Sequence, residues 1–209
     1  MENIYNNYWR ERGKSGHRPR YDIFLDWMDA GSSALEFGSG DGYLGAYLKE
    51  KKSITYLATD ISETAIAGAR ARGLETEVVN ASDTDFLKKR FADKEFDYVI
   101  MTEFLEHIVN SEEVLMEAIR IARKAVLVSV PNSAYWRYRL QLLFGNFPKQ
   151  WAVFPHEHVR FWSIADFLKT VGGLGLRVEK MKASNGKKVL RDIWPNLFGF
   201  QICYLIRKP

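Results

Sequence analysis

Short apolar runs alternate with amphipathic stretches along most of this chain. The runs near residues 33–37, 54–60, 76–80, 96–102, 125–130, 176–182 and 198–206 read as strands. Stretches near 20–29, 43–51, 62–72, 84–91, 111–123, 134–144 and 163–173 read as helices. This alternation predicts an α/β architecture, a doubly wound and mostly parallel sheet with helices on both faces. Ser111-Glu-Glu and Ser163-Ile-Ala-Asp look like helix N-caps with acids in the first turn, and Gly172, Gly173 and Gly175 stop the last helix. No repeat, low-complexity tract or Pro/Gly/Ser-rich linker interrupts the pattern, so residues 1–209 read as a single domain.

The first strand carries the most informative punctuation. It holds Glu36, then Gly38, Gly40 and Gly42 follow at alternate positions, and Asp60 ends the second strand. Glycine lets backbone approach a ligand where a Cβ would clash, and strand, glycine turn and helix start are the parts of a mononucleotide-binding half. Gly40-Asp-Gly42-Tyr-Leu-Gly45 also spells the dinucleotide fingerprint, but in a poor register. The first fingerprint glycine should close the strand, which is Gly38, and Tyr43 then stands where the third glycine belongs. Glu36 and Asp41 flank the turn, and two carboxylates repel a pyrophosphate seated on the helix N-terminus. A ligand with an adenosine ribose, a positive centre and no phosphate suits them better, and S-adenosylmethionine (SAM) is such a ligand.

From these residues the chain resembles the class I SAM-dependent methyltransferases, nearly end to end. The resemblance implies a Rossmann-like sheet of seven strands, the last antiparallel, and SAM as cofactor. Glu36-Phe-Gly38-Ser39-Gly40-Asp-Gly42 resembles the family's first motif. Asp60 stands where the family places an acid on the ribose hydroxyls, and Ile61 where an apolar side chain covers adenine. Val78-Val79-Asn80-Ala81-Ser82-Asp83 resembles the third-strand motif, whose acid reads the adenine amino group, with Ser82 in place of the usual glycine. Thr102 and Glu103, at the end of the fourth strand, complete the implied cofactor set. Thr102-Glu103-Phe-Leu-Glu106-His107 lacks the Asn/Asp-Pro-Pro-aromatic motif of enzymes that methylate DNA base amines. Asp60 can also be read as an N-cap for the following helix, and Glu36 as an organiser of the turn.

Composition narrows the partners. At 209 residues the chain is long enough for a full core, and 46% apolar with 27% charged residues is ordinary for a globular protein. The net charge of +4 is compatible with an acidic substrate and argues against a nucleic-acid partner. Cys203 is the single cysteine, so no internal disulfide is expected. The opening residues do not read as a signal peptide and no apolar stretch is long enough for a membrane span, so a cytoplasmic location is the default expectation.

Methyl transfer from a sulfonium is an in-line displacement, helped by holding nucleophile and methyl in near-attack geometry. A base is needed where a hydroxyl or amine acceptor must lose a proton, and His107 is the candidate catalytic residue. The alternative is that His107 only hydrogen-bonds Glu106 or backbone. Glu103-x-x-Glu106-His107, joined by His158, also offers ligands for a divalent metal. That set resembles the metal centre of some SAM-dependent O-methyltransferases, including small-RNA ribose methylases. Glu-His after a fourth strand is also common in metal-free methyltransferases, and no metal ligand is assigned.

Ser129-Val-Pro131-Asn132-Ser-Ala-Tyr135-Trp136-Arg137-Tyr-Arg139, with Arg18-Pro-Arg20-Tyr-Asp22 upstream, is similar to the MetW-type methionine-biosynthesis proteins. Glu36-Phe-Gly-Ser departs from their usual Asp-Leu-Gly-Cys, and the segment from Thr102 to His107 looks more like an active methyltransferase. The likeness implies a homoserine acyltransferase as partner. The expected function is methyl transfer from SAM to an O, N or S acceptor on a small molecule. The alternatives are an accessory subunit docked on the acyltransferase, or a metal-assisted O-methyltransferase acting on RNA or glycan.

Residues 133–161, with Tyr135, Trp136, Tyr138, Phe144, Phe147, Trp151 and Phe154, read as an aromatic and basic lid. Its Trp136, Arg137, Arg139 and His158 are candidate substrate contacts, together with Tyr8. Trp136, Leu140, Leu143 and Phe144 share one helical face, which equally fits core packing or a homodimer surface. Residues 1–30 read as a helical cap whose Tyr5, Tyr8 and Trp9 close over SAM or anchor the cap to the sheet. Lys180, Lys182, Lys187, Lys188 and Arg191 read as a solvated basic loop.

Overall fold

A strand buried on both faces must be almost wholly apolar, and β1 (Ser33–Phe37) meets that condition over its last four residues, Glu36 excepted. The computed structural model describes residues 2–12, 15–150 and 157–209. Within them β1 is an interior strand, paired with β2 and β4, of a seven-stranded sheet of order β3-β2-β1-β4-β5-β7-β6. β2 spans Thr55–Asp60, β3 Glu75–Val78, β4 Phe96–Thr102, β5 Ala122–Pro131, β6 Arg177–Gly186 and β7 Gly199–Arg207. The first five strands pair in parallel, and β7 runs antiparallel between β5 and β6.

Side chains alternate across each strand and so divide the core into two layers. Leu35, Phe37, Val99, Met101, Val126 and Val128 face α5 (Thr84–Arg90), α6 (Ser111–Ile121) and α8 (Ile164–Gly173), meeting Leu87, Val114 and Phe167. Ala34, Ala58, Tyr98, Ile100 and Leu127 face the other way, toward Phe24 of α2 (Pro19–Trp27) and Leu44 and Leu48 of α3 (Tyr43–Lys52). Ala69 of α4 (Glu63–Ala71) packs on that same side. Cys203 is buried in it as a free thiol.

Several sequence expectations need adjustment. The cap of α6 is Asn110, not Ser111, whose hydroxyl bonds Glu112 instead. Ser163 does cap α8, in a reciprocal capping box with Asp166. The region read as a basic loop is structured: β6 continues to Gly186, and α9 (Leu190–Ile193) and α10 (Pro195–Phe198) follow. Its lysines interrupt the apolar pattern because that edge strand leaves side chains in solvent, which hides the strand from a periodicity reading. α7 (Trp136–Leu143) has no buried residue, so core packing does not explain its apolar face. Trp151 and Phe154 lie outside the described residues. No described helix is long and apolar enough to cross a membrane.

Candidate functional site

In this open, mostly parallel sheet the strand order reverses beside β1, and the loops after β1, β2, β3 and β4 converge there on a crevice. A cavity of about 570 Å³ occupies it, a size suited to a small-molecule ligand. The turn after β1 is made possible by positive φ at Gly38 (69°), Gly40 (56°) and Gly42 (72°). A Cβ on Gly38 would run into the ring of Phe104, and one on Gly40 into the indole of Trp9. Gly42 does not line the cavity, and a Cβ there would collide with Ala69 and Leu74. It packs between α3 and the α4 region.

Asp60 does not cap the next helix. Its Oδ2 accepts from Gly40 N–H at 2.9 Å and its Oδ1 from Ser62 N–H at 2.9 Å, so one carboxylate ties the glycine turn to the loop after β2. Ser62 is the cap of α4, accepting from Ala65 N–H. Burial raises the Asp60 carboxyl above its ordinary range, against the pull of these backbone donors. Glu36 is 1% exposed and accepts from Tyr56 Oη at 2.6 Å and Thr102 Oγ1 at 2.9 Å. Burial outweighs these bonds and pushes its pKa up to about 7. Asp41 goes the other way: Arg72 and the Ser15 amide overcome its burial and hold it low. Ser39, Ile61, Ser82, Thr102 and Glu103 also line the cavity.

Asp83 does not line it. It is exposed and accepts from Phe86 N–H at 2.9 Å as the cap of α5. Asn80, Ala81 and Ser82 reach the cavity from that loop instead. Trp136, Arg137 and Arg139 are also off the cavity wall. Arg137 stacks on the Trp136 ring, and Arg139 donates to the carbonyls of Ala134 and Asn196, fastening α7 to α10. Tyr138, between them in sequence, is the α7 side chain that does line the cavity.

α1 (Glu2–Arg12) covers one flank, with Tyr5, Tyr8 and Trp9 in the cavity wall. Asn6 Oδ1 holds this helix to the next loop, accepting from Ser62 Oγ at 2.7 Å and Thr64 N–H at 3.2 Å.

On the β4 side, Glu103 adopts a positive φ of 49°, a strained conformation for a non-glycine residue. Its Oε1 accepts from Ser129 Oγ and its Oε2 from Gln201 Nε2. Gln201 Oε1 in turn accepts from Arg20 at 3.4 Å, and Arg20 is buried. Both Glu103 oxygens are thus engaged, and Glu103 does not join the cluster formed by Glu106, His107 and His158. His107 Nδ1 lies 2.6 Å from the carbonyl oxygen of Glu157. A carbonyl only accepts, so Nδ1 carries the proton and Nε2 keeps its lone pair. Burial lowers the pKa of His107 and, with His107 beside it, brings His158 down to about 4. Burial and then the Glu103 charge raise Glu106 well above the usual carboxylate range. Sequence reasoning missed Tyr56, Arg20 and Gln201, whose partners stand 20 to 181 positions away with no local signal.

Sheet order, glycine turn and the acid ending β2 together define a class I SAM-dependent methyltransferase fold. The chain matches the family described as methionine biosynthesis protein MetW over residues 18–206, and it belongs to that family. It is 27% identical over 195 residues to the bifunctional methionine biosynthesis protein MetXA/MetW of Rhodopirellula baltica, covering 84% of this chain and 30% of that protein. It is 21% identical over 222 residues to a ubiquinone biosynthesis O-methyltransferase of Rickettsia prowazekii, covering 95% of this chain and 86% of that one. The magnesium protoporphyrin IX methyltransferase of Synechocystis, solved with bound SAH, superposes with a TM-score of 0.69 at 13% identity over 100% of both chains. This chain therefore spans less than a third of the length of its bifunctional relative.

Proposed function

We propose that this chain is a SAM-dependent methyltransferase that transfers a methyl group to an oxygen, nitrogen or sulfur of a small-molecule acceptor. The observation that carries the proposal is a single cavity lined both by Asp60, Glu36 and the glycine turn and by His107. Bound SAM supplies an electrophilic methyl on a sulfonium. Asp60 uses two backbone donors to fix its carboxylate and keeps lone pairs for ribose hydroxyls. Ile61 offers apolar surface to adenine, and Ser82 and Thr102 stand on the same wall. Glu36 and Asp60 favour a ligand with positive charge over a pyrophosphate. Tyr5, Tyr8 and Trp9 exclude water from the flank that α1 covers. His107, neutral and with Nε2 unprotonated, takes the proton of a hydroxyl or amine acceptor. A relative named for O-methyl transfer supports oxygen among the three acceptor types.

Calorimetric titration with SAM and SAH tests this directly. Binding near micromolar, about −8 kcal/mol, is expected for both. Asp60→Ala should weaken SAM by ~1–3 kcal/mol, the scale of a hydrogen bond to a charged group. Unchanged affinity in that variant removes Asp60 from the site.

A second reading is favoured by the bifunctional relative and by the uncovered face of α7: an accessory subunit that docks on a homoserine acyltransferase. No binding of SAM or SAH, with retention on an immobilised acyltransferase, would select it.

A further inference from the structure

Among the described residues Arg20 is the one buried arginine, 7% exposed at the start of α2, and it lines the cavity. Arg72, Arg90 and Arg160, all more exposed, each bond a carboxylate directly. Arg20 makes no such pair among the described residues. Its side chain has a single hydrogen bond there, Nη1–H to Gln201 Oε1 at 3.4 Å, and its buried Nε–H has no partner. A guanidinium carries five N–H donors, so most of them are unused. A buried cation in this state is costly until an anion meets it.

Burial disfavours the Arg20 charge and Glu103 supplies the leading compensation, yet Gln201 stands between the two. The Gln201 amide donates Nε2–H to Glu103 Oε2 at 2.8 Å and accepts from Arg20 on its other side. This relay offsets the buried charge at a distance and leaves the guanidinium fork without a carboxylate of its own.

Gln201 also marks a distinct end of the cavity. Pro131 of β5 and Asn185 of β6 are its cross-strand neighbours, and Phe200 beside it meets Tyr138 of α7 with ring centroids 6.0 Å apart. All of them line the cavity. In the strand order this end stands at β7, three strands beyond β1 and four beyond β2, which is roughly 14 and 19 Å at the spacing of neighbouring strands. Asp60 and the glycine turn hold the opposite end, and His107 follows β4, which lies between them.

We infer that this far end of the cavity is a subsite for a carboxylate of the methyl acceptor, gripped by the N–H fork of Arg20. The inference rests on the methyl-transfer reading and narrows its acceptor to an anionic small molecule. Tyr138 and Phe200 offer aromatic surface to the body of such a molecule. A planar fork matches a carboxylate in two parallel hydrogen bonds, where a lysine would act only as a point charge. Anchored at β7, the acceptor presents its nucleophile toward β4, where His107 stands. The positive balance of the chain, +4, favours the approach of an acid.

The probes are benzoate and benzamide, alike in shape and different in charge, titrated into the SAH-loaded full chain and read by ligand-observed NMR. Expected are saturable benzoate binding in the millimolar range, binding of benzamide about tenfold weaker or less, and loss of that preference in Arg20→Gln. SAH affinity in the variant should stay within about twofold of wild type, read by calorimetry. A fall of about tenfold in SAH affinity would assign Arg20 to the cofactor's own carboxylate and overturn the subsite. Equal binding of the two probes by the wild-type chain, or none, overturns it too. Should thermal melts show Arg20→Gln unfolded, Gln201→Glu decides. It sets a carboxylate on the guanidinium and should bring benzoate down to the affinity of benzamide, and unchanged benzoate binding there overturns the subsite. If the wild-type chain takes up no SAH, the methyl-transfer reading fails by itself, and the same comparison on the cofactor-free chain still decides the anion subsite.

Discussion

Glu36 joins the glycine turn to the strands on either side, since Tyr56 of β2 and Thr102 of β4 both donate to its carboxylate. Its pKa in the folded protein, about 7, lies above the ordinary 4.5, so protonation favours the folded state. That stabilisation is complete below about pH 4.5 and is lost as pH rises through about 7. The ligand-free protein should therefore lose on the order of 3 kcal/mol across that window from this group. Asp60 and Glu106, also raised by burial, act with the same sign. Urea denaturation between pH 4.5 and 8 should show a flatter profile for Glu36→Gln than for wild type. Identical profiles would mean that Glu36 is ionised throughout. Gly40 makes a second test. Gly40→Ala meets both a positive φ and the Trp9 indole, and should destabilise by ~1–3 kcal/mol. Trp9→Ala should relieve part of that penalty in a double-mutant cycle, and strict additivity would show that the indole does not press on the turn.

α1 is held to the molecule differently from the helices that cover the sheet. Asn6 anchors it to the cap of α4, and Trp9 rests on Gly40. Trp9 and Gly40 both line the cavity, so motion of the helix opens the site. Asn6→Ala should speed amide exchange over residues 2–12 while leaving β1 and β4 protected. It should also weaken SAM by up to ~1 kcal/mol. Equal protection in wild type and variant would refute the anchor. The helices of the sheet were readable from caps and periodicity, as Ser163 with Asp166 illustrates. α9, α10 and the far half of β6 were not, because exposed lysines on an edge strand erase the apolar alternation.

Across the whole molecule, the sheet places every loop of the candidate site at one edge and leaves an apolar surface away from it. Leu143 and Phe144 are each 75% exposed, with Phe147 beside them in sequence, and Trp194 is 56% exposed next to α10. Arg139 links these two regions through the Asn196 carbonyl. Such a surface on a globular chain marks a contact site. Leu143→Glu with Phe144→Glu should leave the melting temperature within about 2 °C, since surface changes move stability little. Loss of binding to a homoserine acyltransferase, or of a dimer in light scattering, is expected from the same variant. Unaltered association would place the contact elsewhere.

Local chemistry accounts for what was legible beforehand. Runs of apolar residues set the strands, positive-φ glycines set the turn after β1, and an acid at the end of β2 set the ligand class, each within a few adjacent positions. Gly42 and Asp83 also match the motif, and in the fold they pack between two helices and cap α5. What folding alone assigned is pairing over distance. Tyr56 on Glu36 and Gln201 between Arg20 and Glu103 join residues 20 to 181 positions apart. Periodicity reports which face a side chain takes, and only the crossing of strands and loops in space determines what it meets there.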